Sequence, residues 1–146
     1  MRHPLMIAVA LLAGHSATAA AQGVNLNRSM ALGSALGSWD TKTMVGPKDS
    51  VVATAVFVAT TDEEAWTLTF SNPKTKPIPL RILLAAFDSV ITEAGPYPSV
   101  LRPGQTVTRL QMTTHFNGDK MTGTFEAHYD KGDVVRGKLA GTRKKK

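Results

Sequence analysis

The chain has 146 residues, no cysteine and a formal charge of +6. The missing cysteine excludes disulfides, thiolate metal ligands and cysteine nucleophiles, so stability has to come from packing and strand pairing. The charge forms no basic face: apart from Arg2 and the terminal cluster Arg143, Lys144, Lys145 and Lys146, twelve of the seventeen basic residues stand against eleven acidic ones, which argues against a nucleic-acid partner.

Arg2 and His3 precede an apolar run from Leu5 to Ala13, and small residues with two A-x-A patterns follow to Ala21. That order marks a secretory signal peptide over residues 1–21, cleaved after Ala19 or Ala21. A bilayer-spanning helix takes ~20 apolar residues, so this run is too short to stay inserted, and a periplasmic or secreted location is expected. The remaining chain, about 125 residues, is the size of one domain. We divide it into a lead-in segment (22–36) with a helical turn near Met30, a β-domain (37–143) and a basic tail (144–146).

From Gly37 onward, short runs rich in threonine, valine and aromatics alternate with Gly, Pro, Asn and Asp clusters, the pattern of an all-β domain. Trp39 to Met44 reads as a strand, then Ser50 to Thr60, and an acidic turn leads into Ala65 to Phe70. There Trp66, Leu68 and Phe70 alternate with Ala65, Thr67 and Thr69, giving one buried and one wet face. Leu80 to Phe87 is the most continuously apolar run and is expected to be covered on both sides, with Ser89 to Ala94 following. The longest connection runs from Glu93 to Gly104; three prolines stiffen it, and it presents Tyr97 and Arg102.

Two hairpins complete the chain. Asn117-Gly118 is a two-residue turn signal and places Leu110 opposite Phe125, Met112 opposite Gly123 and Arg109 opposite Glu126. A loop of Lys131, Gly132 and Asp133 then places Tyr129 opposite Val135 and Lys138 beside Glu126. Both registers turn Met121, Phe125, Ala127 and Tyr129 inward, and a one-residue slip would expose that set. About eight antiparallel strands with mostly short connections suit an up-and-down barrel; a two-sheet β-sandwich is the alternative.

Chemistry is sparse. After signal cleavage His115 and His128 remain, both on outward parity and eight residues apart across neighbouring strands, roughly 26 Å, so they share no metal. No G-x-S-x-G context supports a hydrolase, no glycine-rich loop supports nucleotide binding, and no cofactor is expected. Glu93 and Glu126 are the carboxylates to weigh for an enzyme, Glu126 having Arg109 and Lys138 beside it as an ion pair. Tyr97 and Arg102 offer an aromatic face and a fixed cation for recognition; the plainer reading is a rigid crossover with Arg102 paired to Glu93 or Asp88.

Gly37-Ser38-Trp39 resembles the G-x-W that opens lipocalin-like barrels. The likeness implies that Trp39 closes the barrel floor against a basic residue of the last strand, Arg143 or Lys138. From Trp39 to Arg143 the chain is similar to a family of uncharacterised secreted bacterial β-proteins sharing the runs Ala65 to Phe70, Asp88-Ser89-Val90 and Glu93 to Tyr97. That resemblance implies a bacterial envelope location and carries no activity with it. Two non-catalytic functions are expected in the alternative. One is a barrel holding a small apolar or amphipathic ligand near Trp39, Glu93, Tyr97 and Arg102. The other is an envelope module with a filled core that binds a protein through an apolar patch around Tyr97 and Leu101.

Overall fold

A computed structural model describes residues 16–145, with side chains from residue 26 onward. The first part of the expected signal peptide, residues 1–15, lies outside the described residues. A helix, α1 (Ser16–Ala35), leads into β1 (Gly37–Val45), β2 (Ser50–Ala59), β3 (Thr67–Asn72), β4 (Ile78–Pro79) and β5 (Arg81–Ala86). Then come β6 (Ser89–Ala94), β7 (Tyr97–Pro98), β8 (Thr106–Asn117), β9 (Lys120–Tyr129) and β10 (Val134–Arg143).

The ten strands of the described residues pair antiparallel in one sheet of order β4-β3-β2-β1-β10-β9-β8-β6-β5, with β7 beside β8. The two ends of that order are consecutive pieces of one run of chain broken at Leu80, so the sheet curls into a nearly closed barrel. In the same way β6 and β7 are one run broken at Gly95 and Pro96. Counted as runs of chain there are about eight, each beside its neighbour in sequence and the last beside the first. A single sheet holds every strand, which replaces the two-sheet alternative.

Alternation builds the core. Ala53, Ala55, Phe57 and Ala59 of β2 turn inward, opposite the larger Leu110, Met112 and Phe116 of β8 and Met121, Phe125 and Tyr129 of β9. Small side chains on one wall and large ones on the other let a narrow barrel fill until only a small central cavity is left.

Three expectations need correction. The lead-in is a full helix: Ala31 and Ala35 are completely buried, and their small side chains let α1 approach β5 closely. The run Leu80 to Phe87 is not covered on both sides. It forms β5 with a bulge between Ile82 and Leu84, leaving Leu83 and Leu84 half-exposed and Phe87 69% exposed at φ 58°.

Both hairpin registers are displaced by two residues. Asn117 pairs with Lys120, so Gly118 and Asp119 make the first turn, and Leu110 stands opposite Ala127, Met112 opposite Phe125 and Arg109 opposite His128. In the second hairpin Val135 stands opposite Ala127 and Lys138 opposite Thr124. An even displacement preserves the pleat, so the inward set is unchanged while each partner differs.

Candidate functional site

One end of the barrel is sealed by aromatic rings. Trp39 lies 5.0 Å from Phe116, Phe116 lies 6.0 Å from Phe57, and Phe57 meets Trp66 edge-on at 5.8 Å. Each indole N–H is satisfied by a carbonyl, Trp39 donating to Ala35 and Trp66 to Thr60, both at 2.8 Å. Beneath this floor the Arg143 guanidinium stacks on the Trp39 ring at 4.2 Å. It also donates to the carbonyls of Leu36, Ser34 and Gly118 and to the Asp119 carboxylate. Lys138 is engaged elsewhere, 3.2 Å from Asp49.

Above the floor is an internal cavity of about 30 Å³. Phe70, Leu110, Met112, Phe125 and Leu139 contribute to its wall, together with Thr41 and Thr114. The two threonines direct their hydroxyls to backbone carbonyls, of Ala55 and Val90 respectively, both at 3.0 Å, and so offer methyl groups to the interior.

The far end is covered by residues 98–105. The Ser99 hydroxyl accepts from the N–H groups of Leu101 and Arg102 and shares a 2.9 Å hydrogen bond with the Tyr129 hydroxyl. Ser99 N–H donates to Gln105 at 2.9 Å, and Gln105 N–H to Arg102 at 3.1 Å. This compact turn lowers Val100 and Leu101 into the mouth, where both border the cavity. Arg102 holds the turn from outside, its guanidinium 4.8 Å over the Tyr129 ring and 2.8 Å from Asp133.

Of the residues singled out by sequence, Tyr97 and Arg102 meet at this covered end, Tyr97 lining the cavity and Arg102 fastening the cover. Trp39 is at the opposite end, in the floor. Glu93 is on the outer face of β6, paired with Arg81 at 3.0 Å. The partner of Arg102 is Asp133, in place of Glu93 or Asp88. The apolar patch expected around Tyr97 and Leu101 is turned inward, since Tyr97 is only 9% exposed. Sequence reasoning passed over Ser99 and the Tyr129 hydroxyl, yet an inward tyrosine needs a partner for its O–H, and that requirement was a usable signal.

Outside the barrel, two polar clusters bear on catalysis. Glu126 lies 2.6 Å from His128 and 3.2 Å from Arg136, in place of the expected Arg109 and Lys138 neighbours, while Arg109 lies 3.3 Å from His128. The hydrogen bond from His128, reinforced by Arg136, holds the Glu126 carboxyl below the usual carboxylate range, opposite to what a general acid at neutral pH requires. Ser89 lies 2.7 Å from His115 Nδ1 and donates to Asp88 at 2.9 Å. A nucleophilic serine gives its proton to the imidazole, and the carboxylate orients that ring; here the serine proton goes to the carboxylate. The partner of His115 on β9 is Thr122, six residues from His128 or roughly 20 Å, which shortens the expected separation without bringing the rings together. Among the described residues no cluster of three or more His, Asp or Glu side chains is placed to hold a metal ion, and no helix is long and apolar enough to cross a membrane.

No protein-family model, curated protein or solved structure matches this chain.

Proposed function

We propose that the chain is an exported, non-catalytic β-barrel that binds one small apolar or amphipathic molecule in its interior. The observation that carries this reading is a methyl-lined cavity whose mouth is filled by the protein's own Val100 and Leu101, held there by a few surface contacts. In the closed form the cavity takes no more than about two water molecules, far short of the ~300–1,000 Å³ of a typical ligand pocket. Binding therefore requires Val100 and Leu101 to withdraw and the ligand to take their place against Phe70, Phe125 and Leu139.

The energetics allow it. A half-exposed ion pair such as Arg102 with Asp133 contributes ~0–1 kcal/mol, and a hydrogen bond such as Ser99 with Tyr129 about 0.5–1.5 kcal/mol net. A buried aliphatic chain regains ~0.8 kcal/mol per CH₂, so a few methylenes offset both, and several more offset the apolar contact that Val100 and Leu101 give up on withdrawing. The hydroxyls of Ser99 and Tyr129, once parted, are placed to meet the polar end of an amphipathic guest. Kinship with lipocalin-like barrels is supported by Arg143 stacked under Trp39. Export is supported by the N-terminal sequence: cleavage after Ala19 or Ala21 falls within α1 and keeps Arg28, Ala31 and Ala35, the residues through which the helix touches Glu63 and the barrel.

Titration with the apolar fluorophore N-phenyl-1-naphthylamine tests the reading. Saturable enhancement at one probe per chain is expected, and Leu101→Ala, which empties part of the mouth, should tighten it. Absence of saturable uptake by either protein would overturn the proposal. A second reading, an envelope module that docks a protein on a filled barrel, is favoured by the exposed Leu83, Leu84 and Phe87. An aromatic residue held at positive φ in the open is costly without a use. Under that reading any fluorophore enhancement comes from the surface patch, so it falls when Phe87 is replaced by serine and is indifferent to Leu101→Ala.

A further inference from the structure

Among the described residues the ladder of the barrel wall is interrupted where the run of β4 and β5 passes from one neighbour to the other: β5, against which α1 packs, bonds only to β6, and a second gap lies beside β4. β4 bonds only to β3, and β7 only to β8, leaving no ladder between β4 and β7. A groove of about 440 Å³ lies there, with residues 75–79 on one lip and residues 96–98 on the other.

Backbone parity explains the gap. Leu80 N–H donates toward β3, to the carbonyl of Trp66 at 2.9 Å. In an extended chain alternate residues address opposite sides, so Ile78 also faces β3 while the nitrogens of Pro77 and Pro79 face the gap. On the other lip Ser99 N–H donates to Gln105 at 2.9 Å, so Tyr97 addresses β8 and the nitrogen of Pro98 faces the gap. These are the positions where the lips would need donors in order to zip, and proline has none. Pro96 has none either. The two edges meet as rows of acceptors and stay apart.

Tyr97 stands behind the gap, its side chain bordering both the groove and the internal cavity and its ring 6.3 Å from Phe70. Burial, with a contribution from Tyr129, pushes its hydroxyl well above the ordinary phenol range, so the ring remains an uncharged barrier.

We propose that this proline-edged seam is the way into the barrel and that the Tyr97 ring gates it, swinging toward the groove to admit a slender apolar molecule such as an alkyl chain. The inference rests on the interior being a binding site. It separates the passage, through the side wall, from the space made at the mouth by Val100 and Leu101. A seam kept open only to deter edge-to-edge aggregation would have the same prolines but no traffic past Tyr97.

The absence of cysteine makes a direct test available. Ala127→Cys puts a single thiol in the cavity wall of the full chain, and its labelling by methyl methanethiosulfonate reads passage without any knowledge of the natural guest. Tyr97→Ala should speed labelling by about tenfold or more, and Arg102→Ala, which loosens the cover, by less. Pro79→Val combined with Pro98→Val restores donors to both lips and should slow labelling with Tyr97 intact, which keeps the test decisive if Tyr97→Ala fails to fold. Labelling that responds to Arg102→Ala more than to Tyr97→Ala, or that follows only the urea stability of each variant, would overturn the proposal. Fluorophore uptake is scored separately. Tyr97-dependent labelling without uptake keeps the passage and removes the carrier, whereas uptake with Tyr97-independent labelling does the reverse.

Discussion

Arg143 ties three distant pieces of chain together through one guanidinium. It meets the end of α1 through Ser34 and Leu36, the β8–β9 turn through Gly118 and Asp119, and β1 through the Trp39 ring. Planarity and a fixed fork of donors are what such a junction needs, and lysine supplies neither. Arg143→Ala should lower unfolding free energy by about 2–4 kcal/mol, the range of a partly desolvated stack plus charge-assisted hydrogen bonds. Arg143→Lys should recover less than half of that loss, as read from urea denaturation midpoints. This contact was legible in the sequence, through the tryptophan of the G-x-W and the basic residues near the chain end. Tyr97 and Arg102 were legible as an aromatic and a cation on a stiff connection. Asp133 was not, because it joins Arg102 only after a hairpin is placed in its true register.

Parity is the part of a strand that sequence states most strongly, and β8, β9 and β10 illustrate how far it reaches. Which residues of β9 face inward followed from alternation alone, since a one-residue error would put Phe125 and Tyr129 in water. A two-residue error has no such penalty. The choice between turning at Asn117-Gly118 and at Gly118-Asp119 depends on contacts across the sheet, among them the fit of Phe125 against Gly137, its partner on β10. A methyl group at Gly137 would lie 2.6 Å from the Phe125 ring and closer still to the Met44 carbonyl. Gly137→Ala should therefore destabilise the barrel by ~1–3 kcal/mol through overpacking, measured by thermal unfolding. α1 was hidden for a related reason. Gly23, Gly33 and two asparagines give it little propensity, and its place is set by the buried Ala31 and Ala35 against β5.

At the scale of the whole molecule, an antiparallel meander of about eight runs followed from turn spacing and strand lengths. What filled it did not, because interior volume depends on how large and small inward residues oppose one another across walls that are distant in sequence. The resulting barrel is closed by aromatics at one end, plugged by its own Val100 and Leu101 at the other, and left unzipped along a proline-edged seam. On the proposed reading this is a binding barrel at rest, in which two of its own side chains occupy the space a guest would take. The direct test is native mass spectrometry of the protein purified from the organism that makes it, compared with the same sample after denaturation and organic extraction. The account predicts a reproducible added mass of a small apolar or amphipathic molecule that is lost on denaturation. A bare chain mass, with no shift in melting temperature across a panel of lipids and metabolites, would contradict it.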